Sequence, residues 1–126
     1  MKTHLVINGV DYTPHIVDDS YDINSNDVYE SWEDGNKVEH RIPITKKISG
    51  TVQILCSEKS GWLQVDDFLA DLNAATDNSV LTCGVFVPNL NAFKALDCYY
   101  TLKNTSHIKD GSNLFSDIFE LELKER

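Results

Sequence analysis

The sequence predicts an α+β, mainly β fold: an antiparallel, β-sandwich-like sheet of about six to eight strands with one amphipathic helix packed on it. Three observations carry this. Residues 47–56 alternate without a break, with Ile48, Gly50, Val52, Ile54 and Cys56 on one face and Ser49, Thr51 and Gln53 on the other. That is the period of two of a half-buried antiparallel strand. The dipeptides Asn8-Gly9 and Asp34-Gly35 are hairpin-turn signals, because such turns need residues that tolerate positive φ. Spacings of three and four occur at Trp62, Val65, Phe68, Leu69 and Leu72, giving one helix over about residues 61–75.

The elements follow in order. His4–Ile7 reads as a strand that turns at Asn8-Gly9 and returns through Val10–Thr13, and Pro14 then limits it to an edge or a bend. Residues 17–27 are polar and turn-rich and are expected to cross the surface, with room for a short strand at Tyr21–Ile23. Val28–Glu33 and Lys37–Ile44 form a hairpin. A two-residue loop would set Glu30 opposite Glu39, a destabilising like-charge pair. A three-residue loop, Asp34-Gly35-Asn36, pairs Glu33 with Lys37, Trp32 with Val38, Glu30 with His40, Tyr29 with Arg41 and Val28 with Ile42, and is the expected register. Pro43, lacking an amide hydrogen, is expected to end or kink the second strand, so that Lys47–Cys56 forms a third. Ser60 or Ser57 is placed to cap the helix, and Thr76-Asp77-Asn78 to end it. Ser79–Val87, Phe93–Leu102 and Leu114–Leu123 complete the sheet, the last with Phe119, Leu121 and Leu123 inward. Asn104–Asn113 reads as a long mobile loop.

A length of 126 residues fits one domain, 1–126, large enough to hold a core without disulfides. The net charge of −9, from 11 Lys and Arg against 20 Asp and Glu, weighs against nucleic acid and anionic membrane surfaces as partners. Three cysteines, 56, 83 and 98, are an odd number at long spacings in apolar runs, where free thiols act as small hydrophobes. No apolar run reaches the length of a membrane span, and the start is too polar for a signal peptide, which points to synthesis in a reducing cytosol.

Candidate chemistry is thin. Asp22, Asn24, Asn26 and Glu33 occupy positions one, three, five and twelve of a calcium-loop pattern, but position six is Asp27 where the sharp turn calls for glycine. A solvated turn is the better reading. Histidines 4, 15, 40 and 107 lack metal-ligand spacing, the cysteines have no identifiable base, and no phosphate-cradling glycine loop occurs. No catalytic residue, metal or cofactor is therefore assigned. Tyr29, Trp32, Tyr99 and Tyr100 lie in strands whose two faces cannot both be core, so some of these rings are expected at an interface.

Ile7-Asn8-Gly9-Val10-Asp11-Tyr12, Tyr21-Asp22-Ile23, Val28-Tyr29-Glu30-Ser31-Trp32, His40-Arg41 and Lys47-Ile48-Ser49-Gly50 together resemble small prophage-type structural proteins of Gram-positive bacteria. The order of elements is similar to the β-domains of tail-tube and distal-tail proteins of tailed phages. The resemblance implies a non-enzymatic, tail-associated virion protein, located in the virion or in the host cytoplasm before assembly. It would act by self-association or by packing against other phage proteins. The expected contact is the central hairpin, with Tyr29, Trp32, Val38 and His40. The alternative is a small binding module, calcium-responsive through residues 22–33.

Overall fold

The computed structural model describes residues 2–33, 35, 39–111 and 113–126, and gives the backbone course alone for 27–33 and 39–45. Among the described residues, eight strands form one antiparallel sheet: β1 (Leu5–Ile7), β2 (Val10–Asp11), β3 (Asp22–Glu33), β4 (Glu39–Ser57), β5 (Thr76–Asp77), β6 (Val80–Val87), β7 (Ala92–Lys109) and β8 (Phe115–Glu125). The spatial order is β2-β1-β6-β7-β8-β4-β3, with β5 added beside β6. One helix, α1 (Val65–Ala74), lies between β4 and β5 in the chain.

Local chemistry accounts for the turns. Asn8 and Gly9 both have positive φ (53° and 74°), and Ile7 pairs with Val10 around them, the geometry of a two-residue hairpin loop. Asn78 and Ser79 do the same (50° and 68°) between β5 and β6, a hairpin that the sequence reading did not foresee.

The sheet curls until its far ends meet around one core, giving the sandwich-like enclosure expected. Leu5 and Ile7 of β1, Leu81, Cys83, Val85 and Val87 of β6, Cys98 of β7, Leu121 and Leu123 of β8, and Val52 and Ile54 of β4 belong to a single buried cluster. Ile23 of β3 joins it from the other edge. Closure runs through Tyr21, whose hydroxyl donates to the Phe86 carbonyl and lies 3.0 Å from the His4 carbonyl. Helix α1 lids the core with Phe68 and Leu72, and the Phe68 ring packs against Tyr12 and Phe119. The Tyr12 hydroxyl donates to Asp71 of the helix, and Asn8 Nδ2 donates to the same carboxylate at 3.2 Å, fastening the first hairpin to α1.

Several expectations are corrected. The helix begins at Val65, capped by Gln64 without a side-chain bond, rather than at Gly61 behind Ser57 or Ser60. Gly61 has φ +84° and turns the chain there, which leaves Trp62 half-exposed outside the helix and off its apolar stripe. Residues 104–109 continue β7 instead of forming a loop, because β8 pairs with them as far as Lys109–Phe115. The segment at 17–27 is a loop only to Tyr21, and β3 starts at Asp22. Strand β4 does not stop at Pro43 but runs 19 residues through it.

The hairpin register is also two positions away from the expected one: Trp32 pairs with His40, Glu30 with Ile42, and Glu33 with Glu39. The register is held at the body. Gly50 has φ +153°, and a Cβ there would lie 1.8 Å from the Asp22 carbonyl oxygen, so β3 and β4 interlock at Ile23–Gly50. From that point the ladder runs outward with one extra residue, Ile44, between the pairs Val28–Thr45 and Tyr29–Pro43. Burial of Ile23 fixes this register, since moving a fully buried isoleucine out of the core costs about 1.5–3 kcal/mol.

Gly50→Ala is expected to lower stability by about 3 kcal/mol or more, since backbone rather than a flexible side chain fills the space. Gly111→Ala, with nothing within 4 Å, should be near neutral. Chemical denaturation of both variants checks this, and equal midpoints would remove Gly50 as the register-setting residue.

Candidate assembly surface

The feature that the sheet leaves unfinished is a two-stranded arm. Strand β8 pairs with β4 only from Ser49 to Ser57, its own end lying at Lys124–Glu125. Among the described residues, 39–48 of β4 therefore have β3 on one side and no strand on the other. Strand β3 is the edge of the sheet along its whole length.

Side chains finish the ladder where its strands end. The Asn89 amide takes both outward groups of Ser25: Ser25 N–H donates to Oδ1 at 2.9 Å, and Nδ2 donates to the Ser25 carbonyl at 2.7 Å. On the other side of the arm, Ile48 N–H donates to Glu125 Oε1 at 2.9 Å. Ser25 and Ile48 are opposite one another, so both contacts report the same alternation: the backbone groups of these residues point away from the β3–β4 ladder. Carried along β3, which has no extra residue, the alternation turns the N–H and C=O of Asp27, Tyr29, Ser31 and Glu33 outward. Pro43, opposite Tyr29, falls on the corresponding outward position of β4. Its missing amide hydrogen thus costs no ladder bond, which is why the strand continues through it.

The arm's two edges differ. The β4 side carries Pro43 and the extra residue Ile44, both devices that discourage further strand pairing. The β3 side has neither. Of the sequence-predicted contact residues, Trp32 and His40 are brought directly opposite each other, and Tyr29 lies on the same strand beside Pro43. Val38 lies outside the described residues. Tyr99 is half-exposed, whereas Tyr100 packs against the core. The calcium-loop pattern at 22–33 falls on one extended strand, where its first and twelfth positions are separated by about 36 Å at 3.3 Å per residue.

Two polar clusters were not foreseen. Asp117 is buried on the inward register of β8, accepting from Asn104 Nδ2 at 2.9 Å and from His107 Nδ1–H. The His107 ring stacks on Phe115 at 4.4 Å. An aspartate in line with Phe119, Leu121 and Leu123 is the signal the period of two offered. Burial pushes the Asp117 carboxyl upward, but the bonds from Asn104 and His107 outweigh it and hold the group below the ordinary carboxylate range. Cys56 pairs in register with Asp117, and burial with the nearby carboxylate pushes its thiol up to about 12, far from a thiolate nucleophile. Cys83 and Cys98 are free thiols with sulfurs 3.7 Å apart, and their hydrogen bond together with burial pushes Cys83 up. Among the described residues, no group of three or more His, Cys, Asp or Glu is placed to hold a metal ion, and no helix is long and apolar enough to cross a membrane.

Comparison with protein-family models, curated proteins and solved structures gives no match.

The Asp117 cluster generates a prediction. Its carboxylate is held below its unfolded value near 3.8, so its stabilisation is complete above that pH and is lost as pH falls through the lower folded value. Asp117→Asn should cost about 1–3 kcal/mol at pH 7. It should also flatten the fall of Tm in acid, and thermal melts from pH 7 to pH 2 check both parts.

Proposed function

We propose that the chain is a non-enzymatic structural protein of a tailed phage or prophage, tail-associated, working by self-association or by packing against other virion proteins. The observation that carries this reading is the arm: beyond Ser25, whose outward groups Asn89 takes, Asp27–Glu33 of β3 has no second strand beside it among the described residues, on a ribbon extending past the end of β8. Uncovered edges of this length template pairing with another chain, and small domains normally shorten, kink or cover them. An edge left open is suited to strand addition, in which backbone hydrogen bonds give affinity and side chains give choice of partner. The resemblance of the first half of the sequence to prophage structural proteins supplies the class of assembly. The place of action is the virion, or the host cytoplasm beforehand.

Trp32, opposite His40 near the end of the arm, is the residue expected to contribute most, since buried aromatics dominate protein contacts. Trp32→Ala should leave the thermal melt of the monomer within about 1 kcal/mol and weaken association by about tenfold or more. Sedimentation velocity over a concentration series reads both, and unchanged association removes the arm from the account. Calorimetric titration with calcium separates this reading from a calcium-responsive binding module, because a structural protein of this kind gives no heat and no shift in Tm.

A further inference from the structure

We propose that Cys83 and Cys98 form a reversible redox site, a dithiol that peroxide converts into a disulfide joining β6 to β7. The site is independent of the assembly reading.

The two sulfurs already touch. They lie 3.7 Å apart inside the core. In register, Leu81 pairs with Cys98 and Cys83 with Leu96, so the cysteines are diagonal neighbours on one face of adjacent strands. The Cys98 thiol also donates to the Leu81 carbonyl at 3.4 Å, which leaves its sulfur lone pairs for Cys83. Cys56 is placed differently: it pairs with Asp117, and among the described residues no thiol is within hydrogen-bond reach of it.

A redox site also needs access. On the side away from β7, strand β6 has no continuous neighbour. Strand β1 stops opposite Cys83, at Ile7, and β5 begins opposite Leu81, at Thr76. A recess of about 470 Å³ opens beside this seam, lined by Cys83 and by small residues that include Gly9, Ala74, Ala75, Gly84 and Ala95. Cys83 keeps 5 % of its surface exposed, whereas Cys98 and Cys56 keep none. A small neutral oxidant such as hydrogen peroxide therefore meets Cys83 first.

The strands must then have room to close. Diagonal cross-strand neighbours are about 7–8 Å apart between Cα atoms, a little beyond the roughly 6.8 Å that a relaxed disulfide spans. Closure has to draw β6 toward β7, and the seam is where β6 can shift, since no single strand holds it from behind. A bond closed under such strain is easily reduced again.

With peroxide as oxidant the reaction balances. The Cys83 sulfur attacks one peroxide oxygen and the O–O bond breaks, leaving a sulfenic acid on Cys83 and releasing water. The Cys98 sulfur attacks the Cys83 sulfur, the S–O bond breaks, and the hydroxyl leaves with the Cys98 proton as a second water. The two thiols lose two electrons and the peroxide gains them. In a reducing compartment the pair stays as free thiols.

The test treats the reduced, folded full chain with hydrogen peroxide, then counts thiols after denaturation and maps linked peptides by mass spectrometry. Wild type should fall from three free thiols to one, Cys56, with a Cys83–Cys98 link and the loss of two hydrogens. Dithiothreitol should restore all three. Cys56→Ala should fall from two free thiols to none. Cys98→Ala should form no link and should hold Cys83 as a sulfenic acid that dimedone traps. The wild-type count does not depend on any variant folding. Three thiols that survive excess peroxide overturn the site. So does a link that forms only when the chain is denatured first, or a Cys83 that oxidises while Cys98 stays free. A link that dithiothreitol leaves intact overturns its reversibility. None of these results bears on the arm, so the redox site and the assembly reading fail separately.

Discussion

The fold depends on one close approach. The Asp22 carbonyl sits where a side chain on residue 50 would be, and only glycine leaves the room. This contact locks β3 to β4 at the rim of the core, with Ile23 buried on one strand and Val52 on the other. Everything beyond it is counted outward from that lock. Because side chains alternate with a period of two, a slip of β3 by one residue against β4 would turn Ile23 to solvent. The arm accordingly takes up an extra residue at Ile44 rather than disturb the body.

A second regularity follows from the curl of the sheet. Strands of unequal length leave backbone groups unpaired wherever one ends before its neighbour, and such groups are costly if buried without partners. In this molecule side chains take their place. The Asn89 amide stands in for a strand at Ser25, the Glu125 carboxylate receives the Ile48 amide, and the Tyr21 hydroxyl reaches the Phe86 carbonyl across the closing ends. Arg126 N–H, at the end of the β8 course, still finds the Asp97 carbonyl at 3.0 Å. They mark the base of the arm, where the paired course of β8 ends and the β3–β4 ribbon continues alone among the described strands.

Much of this was legible in the residues. The mainly β class with one helix, the Asn8-Gly9 hairpin, the alternation of 47–56 and the inward set Phe119, Leu121 and Leu123 all follow from local periodicity and turn chemistry, and the structure has them. What was not legible depends on neighbours distant in sequence. Pro43 reads as a strand end until it is known that its outward side faces no strand. Residues 104–109 read as loop because Asn104, Thr105, Ser106 and Asp110 favour turns, but pairing with β8 overrides that preference. Trp62 fitted a helical spacing although the chain turns at Gly61 before the helix begins. The clamp on Ser25 was beyond reach, since Asn89 sits in what reads as an ordinary turn 64 residues away. The Asp117 cluster was half-visible, in that a carboxylate on an apolar register asks for partners, but Asn104 and His107 reach it only because β7 continues as a strand.

The distribution of charge gives the open edge a rationale that composition alone does not. A net charge of −9 would by itself suggest only solubility. Along the chain, eight of the 20 acidic residues fall between Thr3 and Asn36, where no Lys or Arg occurs, and β4 sets Lys46 opposite Asp27 and Arg41 opposite Ser31. A bare edge of neutral, β-favouring residues would pair with any similar edge, its own copies included. Asp27, Glu30 and Glu33 lower that tendency only in registers that set two of them opposite each other, and they favour a strand that brings lysine or arginine there. On the assembly reading, charge therefore biases the choice of partner strand, while the outward backbone groups of β3 supply the affinity.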